Sequence, residues 1–450
     1  MGYTSKNNRR PFESASKASH HHIIKDPEVQ AVMQRIEEPP QVEDISTEQL
    51  IEDFEPSQNN PVEAIIAVDG GYTEVVLNKE FPSRTIHFLQ FGALFFKSED
   101  LAEVDSSAFI DPKDMAKLKN IQRLKLALPT RNLCFKDSST LKGTVLKAIY
   151  EFFMKNNLDE DKSLIDTLAW FVFRKYKQGK RTEQDKYWNL GRNPLSVDNN
   201  SVRLFESEMN RNYTFKCPET GGIIYLTDIF RLHEVIDEET GAGGILGYLV
   251  NVIEHLIIIH LIRLLCNRQP EMLKKVLFIK DGSTGFFGQT AQLHVAMQDL
   301  VNWLLDEHNI LLAGLEKSGA FVDHAQDIQN KLDNGKALIL SDNYIYRYIL
   351  PGTGDPNLPY ASTSNYGHKL IFKTRNGQMY VVAVPVRELK KNPTINDLPN
   401  LQTILDNVEK LRCDMYDSAL FPVALVNKLV SLSAYPSQRI LTKFANNTIK

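Results

Sequence analysis

Two apolar runs in this chain each end on an Asp-Gly pair: Ala64-Ile65-Ile66-Ala67-Val68-Asp69-Gly70-Gly71 and Val276-Leu277-Phe278-Ile279-Lys280-Asp281-Gly282-Ser283. Short continuous apolar runs predict buried β-strands, and the glycine after each aspartate lets the chain turn sharply where the strand ends. In an α/β sheet the carboxyl ends of the strands are where sites are built. Two carboxylates delivered to one such edge repel each other unless a cation lies between them, so the pair predicts a divalent-metal site. Either Asp-Gly alone is an ordinary turn; the inference needs both.

The chain has 450 residues, 42% of them hydrophobic. That is enough for a large core, and the length suggests two or three domains. Net charge is −4, so nucleic-acid binding would have to come from local basic patches. Cys134, Cys217, Cys266 and Cys413 lie far apart without CxxC spacing. This argues against a zinc module or a disulfide framework and fits a reducing cytoplasm. The N-terminus shows no apolar signal core. The most apolar stretch, Ile245 to Cys266, carries Asn251, Glu254, His255, His260 and Arg263. A membrane-spanning helix tolerates such residues poorly, so a buried amphipathic helix is predicted.

Residues 1–60 are polar and turn acidic after Glu37, which predicts a flexible tail with helical segments near 27–37 and 47–54. Strand-like stretches at 72–77 and 84–96 follow the first Asp run, so residues 61–96 predict a meander of three antiparallel strands. Residues 97–240 break that rhythm and read as a large, mostly helical insertion subdomain, with helices over 139–155 and 162–175. The core resumes over 241–450 with a helix at 245–266, the Asp281 strand, a helix at 289–309 and strands at 310–316 and 336–341. A hairpin across Arg375-Asn376-Gly377 and two closing helices, 401–411 and 422–432, complete it. A three-strand meander, then helix, strand, helix, strand, is the order of a ribonuclease H-like (PIWI-like) α/β core, a mixed sheet flanked by helices. Fold alone does not give function.

The strand at 310–316 ends on Glu316-Lys317-Ser318. Lys317 would therefore join the two aspartates at one edge, where an ammonium can neutralise a phosphoryl oxygen or orient an attacking water. Phosphodiester hydrolysis by divalent ions calls for about three carboxylate ligands. Glu254, among Val252, Ile253, Leu256 and Ile257, is the first candidate for the third. A bare carboxylate there is costly and needs either a metal or a salt bridge to Arg263 or a lysine. Glu234 comes second and Glu316 third. The basic run Arg174-Lys175-Tyr176-Lys177, with Lys180-Arg181 and then Tyr187-Trp188, suits phosphate contact and base stacking, although such runs are commonly solvated loops.

Four stretches together resemble the NurA nuclease family: Ala67-Val68-Asp69-Gly70 before a meander, Ile279-Lys280-Asp281-Gly282-Ser283 after a helix bearing a glutamate, Glu316-Lys317-Ser318, and a closing helix at Phe421-Pro422-Val423-Ala424-Leu425-Val426-Asn427-Lys428-Leu429. The resemblance covers about 62–96 and 245–435. It implies a metal-dependent nuclease, preferring Mn²⁺ and also served by Mg²⁺, that cleaves DNA strands and ends. It also implies a homodimer docked on a hexameric HerA-type DNA-translocating ATPase, in double-strand-break processing or defence against foreign DNA. Carried over, Asp69, Glu254 and Asp281 would be metal ligands and catalytic residues, with Lys317 as the strand-end lysine. Two positions depart from the family. Gly71 stands where a serine is usual, and Asn427 where a histidine is usual. An amide can hydrogen-bond a phosphate but cannot shuttle a proton near neutral pH. That leaves His368 or His324 as a substitute, no histidine role, or a catalytically weak adaptor that keeps the fold for assembly.

Overall fold

The computed structural model describes residues 21–36, 51–57, 59–78, 82–98, 123–157, 162–198, 200–352, 354–413, 416, 418–432 and 436–449. The chain divides into two units, Met1–Ile45 and Ser46–Lys450. The described part of the first is a pair of short helices, His21–Ile24 and Pro27–Met33. The second of these starts on a proline and is capped by the Asp26 carboxylate, which accepts from the Glu28 and Val29 amides. Of the rest of the tail expected over 1–60, residues 51–57, 59 and 60 are described and the others lie outside the described residues.

In the larger unit nine described strands form one mixed sheet: β1 (Ile51–Asp53), β2 (Ala64–Asn78), β3 (Arg84–Lys97), β4 (Arg123–Arg131), β5 (Val276–Asp281), β6 (Leu311–Glu316), β7 (Lys336–Ile339), β8 (Gly367–Lys373) and β9 (Met379–Pro385). Their order is β1-β7-β8-β9-β6-β5-β2-β3-β4. The central strands β2, β5 and β6 run parallel, and the flanking pairs are antiparallel.

Period-2 alternation along the strands separates two cores. Ala64, Ile66 and Val68 of β2, with Val276 and Phe278 of β5, face a core built with helices α1 (Leu141–Lys155), α2 (Leu164–Val172), α3 (Leu246–Arg268) and α4 (Leu293–Glu307). Ile65 and Ala67, with Leu277 and Ile279, face the opposite core under α5 (Leu401–Lys410) and α6 (Phe421–Val430). A further helix, α7 (Ser437–Thr448), packs Leu441 and Ala445 against Val75 and Ile86.

Several expectations change. β2 is one continuous strand, so the first Asp-Gly is not a turn and residues 72–77 are not a separate strand. The third strand of the meander is instead β4, from the segment read as an insertion, and it pairs with β3 along its length. The stretch read as a helix near 47–54 contains β1, because Ile51–Asp53 pairs with Lys336–Leu338 and pairing overrides local propensity. A third closing helix, α7, was not anticipated. The apolar helix is α3, and it is buried on nearly all sides between the sheet and α2 rather than amphipathic. The helix at Gly243–Arg268 is long and apolar enough to cross a membrane, and 72% of its most apolar window is buried inside the protein.

Candidate metal centre at the carboxyl edge of the sheet

The register of β2 and β5 builds the site. Val68 pairs with Lys280, so Asp69 and Asp281, one residue further on, stand side by side on adjacent parallel strands. Strand spacing is about 4.8 Å, within the range over which two carboxylates interact directly. After Asp281 the chain does turn: Gly282 has φ +89°, in the left-handed region, and its amide donates to the Leu315 carbonyl at 2.7 Å. Leu315 in turn pairs with Asp281, which brings the end of β6 and Lys317 alongside.

Each acidic group has a partner. Lys317 Nζ donates to Asp281 Oδ2 at 2.6 Å. Asn427 Nδ2, on α6, donates to Asp69 Oδ2 at 2.8 Å, and the Gly70 amide donates to Asp69 Oδ1 at 2.8 Å. The same amide also donates to Glu254 Oε1 at 3.0 Å, so the helix carboxylate reaches the strand end from the opposite face of the sheet. Glu254 Oε2 meets the buried Lys280 ammonium at 3.2 Å, and that ammonium also donates to the Asp281 carbonyl at 2.7 Å.

These surroundings shift the carboxyls. Burial above all, then repulsion from Asp281, pushes Asp69 up to about 7, against the pull of Lys317, Asn427 and the Gly70 amide. Burial likewise lifts Glu254 to about 7; Lys280 opposes the rise, while Asp69 and Asp281 add to it. Three hard oxygen donors held at one edge, two of them destabilised as anions, are of the type that suits Mn²⁺ or Mg²⁺. Among the described residues no three His, Cys, Asp or Glu side chains form a ready-made metal cage. The Lys317 ammonium now on Asp281 would have to give way to such an ion.

Other candidates lie elsewhere. Glu234 is held by Arg231 through Nε at 2.5 Å and a terminal nitrogen at 2.9 Å. Glu316 points to the face away from Asp281 and pairs with Lys369 at 2.6 Å. His368 accepts from the Lys390 amide at 2.9 Å, and burial pushes it down to about 4. His324 meets the Tyr344 hydroxyl at 2.9 Å, also buried. Neither histidine substitutes at the site. The basic run is cancelled locally. Arg174 is buried against Asp299 at 3.1 Å, Lys177 against Asp185 at 3.2 Å, and Lys175 and Arg181 pair with Glu206. Its aromatic members Tyr176 and Trp188 are buried.

Two residues gained a role that sequence reading had not assigned. Lys280 is one: a lysine inside an apolar strand next to Asp281 calls for a buried anion, and Glu254 is that anion. Asn427, in sequence a departure from the family, is the other: with the Gly70 amide it orients Asp69. The second departure has a steric cause: a Cβ on Gly71 would stand 2.9 Å from the Val430 carbonyl oxygen, so α6 packs too closely for a serine. Gly70 is as confined, with a Cβ falling 2.6 Å from the buried Phe91 ring. Gly70→Ala is expected to cost about 1–3 kcal/mol by overpacking, read as a lower urea midpoint.

Neither a family model nor a curated protein matches the chain. Solved structures do. The similar ones include NurA nucleases. The NurA nuclease from Sulfolobus solfataricus is 11% identical over 96% of this chain and 97% of that one, with a TM-score of 0.32. A NurA structure bound to dAMP and manganese is 13% identical over the same shares, with a TM-score of 0.31. At that level of likeness, fold and function rest on the geometry of this chain.

Proposed function

We propose that this chain is a metal-dependent deoxyribonuclease with a ribonuclease H-like core. It would hydrolyse phosphodiester bonds with Mn²⁺ or Mg²⁺. The single observation that carries the reading is the adjacency of Asp69 and Asp281 on parallel neighbouring strands, joined by Glu254 through the shared Gly70 amide. The strand order β6-β5-β2-β3-β4, an antiparallel meander followed by two strands parallel to its first, supports the ribonuclease H-like assignment. A divalent ion held by Asp69, Asp281 and Glu254 would supply Lewis acidity toward a phosphoryl oxygen and lower the pKa of water. Asn427 fixes the Asp69 carboxylate by holding Oδ2, and Lys280 offsets part of the cost of a charge on buried Glu254. Lys317, once released from Asp281, offsets charge on the scissile phosphate.

The proposal includes a homodimer working with a HerA-like hexameric ATPase in DNA end processing or anti-phage defence, supported by the sequence resemblance alone. A second reading, an inactive adaptor on the same ATPase, is favoured by one observation: each carboxylate already has an ammonium or amide partner. Incubating linear DNA with Mn²⁺, Mg²⁺ or EDTA separates the two. Cleavage is expected with the ions and absent with EDTA, Asp69→Ala or Asp281→Ala. Cleavage that persists in both variants would reject the site, and none under any ion would favour the adaptor.

A further inference from the structure

We infer that the basic edge of the sheet formed by β3, β4, α6 and α7 is the track that holds the phosphate backbone of the nucleic acid led to the carboxylates. This rests on the nuclease reading for its destination, and on separate residues for its existence.

The sheet register places the track. Gly92 of β3 pairs with Asp69 on one side and with Arg123 of β4 on the other. Gln90 likewise lies between Gly71 and Lys125. Directly opposed residues share a face, so Arg123 and Lys125 are on the face of the sheet that carries Asp69. Arg123 lies two strand spacings, about 10 Å, from it. The C-terminal end of α6 lies over the middle of this row: Leu429 accepts from Gln90 Nε2 at 2.7 Å, and Val430 packs on Gly92. On that helix Asn427, which touches Asp69, and Lys428 are both exposed. Asp69 itself is only 3% exposed, and the exposed Asn427 amide on its Oδ2 marks the solvent side of the site.

Charge sets this edge apart from a chain of net charge −4. Lys and Arg number two in β3, three in β4, one in α6 and two in α7, and none of the four elements contains an Asp or Glu. Arg123, Lys125, Arg131, Lys428, Arg439 and Lys443 are all exposed. Among the described residues none of them lies within ion-pair distance of a carboxylate. The run at 174–181, by contrast, is closed by Asp185, Glu206, Asp299 and Glu307. Cations without an acidic partner among the described residues, flanking a recessed anionic site, are what a polyanion needs if it is to approach carboxylates that would otherwise repel it.

The test is binding of fluorescein-labelled DNA, single-stranded and duplex, by the full chain in EDTA. Cleavage then plays no part, and the nuclease reading stands or falls separately in the Mn²⁺ assay. Arg123→Ala with Lys125→Ala is expected to weaken binding by at least about tenfold. It should also reduce the slope of log K against log salt by roughly 1.4 to 1.8, the loss of two phosphate contacts. Lys180→Ala with Lys186→Ala removes the same charge from ion-paired positions and should leave affinity and slope near wild type. Equal behaviour of the two double variants, or no wild-type binding at low salt, would overturn the inference. Circular dichroism on both variants excludes misfolding as the cause of any loss.

Discussion

Asp69→Asn is expected to lower Mn²⁺-dependent cleavage by a factor on the order of a thousand and, without metal, to raise the melting temperature at pH 8. Both effects come from one carboxylate. Burial, reinforced by Asp281, holds Asp69 at about 7, and burial also holds Glu254 at about 7 despite Lys280. In the unfolded chain both titrate near 4. Between about pH 4 and 7 the native state therefore binds more protons than the unfolded one, so stability is greatest below that window and falls as pH rises through 7. The loss from Asp69 alone is on the order of 3 kcal/mol. Calorimetry at pH 5 and pH 8 checks this. The metal-free wild type should melt lower at pH 8, Mn²⁺ should restore it, and Asp69→Asn should lose less with pH and respond little to Mn²⁺. A wild-type melting temperature equal at both pH values, and unmoved by Mn²⁺, would remove the electrostatic basis of the site.

Glu254→Ala should be the most destabilising single change at this edge. It leaves the Lys280 ammonium, only 3% exposed, with the Asp281 carbonyl as its remaining partner. Removing one member of a buried pair typically costs about 3–5 kcal/mol, because the other charge stays in the interior. Urea denaturation of Glu254→Ala should show a loss of that size. The double change Glu254→Leu with Lys280→Met should recover much of it, because no buried charge is left behind. Glu254→Gln, which can still accept from the Gly70 amide, should fall between. Wild-type stability in Glu254→Ala would mean that water reaches Lys280 in solution and that the pair is not buried.

Much of this architecture was legible in the chain. Asp69 and Asp281 were readable because a strand buried on both faces is a continuous apolar run, and the Asp-Gly pair that follows it marks the edge. Glu254 was readable because a carboxylate inside an apolar helix must be compensated, although the run of residues could not say by what. The structure gives it Lys280. Less legible was β4: its alternation of Arg123, Lys125 and Ala127 with Leu124, Leu126 and Leu128 marks a strand, but nothing local ties it to β3. Gly70 and Gly71 misled for a physical reason. Glycine serves close approach as well as turning, and which it does depends on Phe91 and Val430, neither of them near in sequence. The basic run at 174–181 misled in the same way, because its compensating acids come from three other segments.

Three carboxylates and two ammonium groups meet at this edge, and with all of them ionised their formal sum is minus one. A single dication would bring that sum to plus one, which one phosphodiester anion then cancels. A second dication would leave the assembly two charges in excess. Lys280, fixed in the interior beside Glu254, thus supplies one positive charge that no bound ion would have to bring.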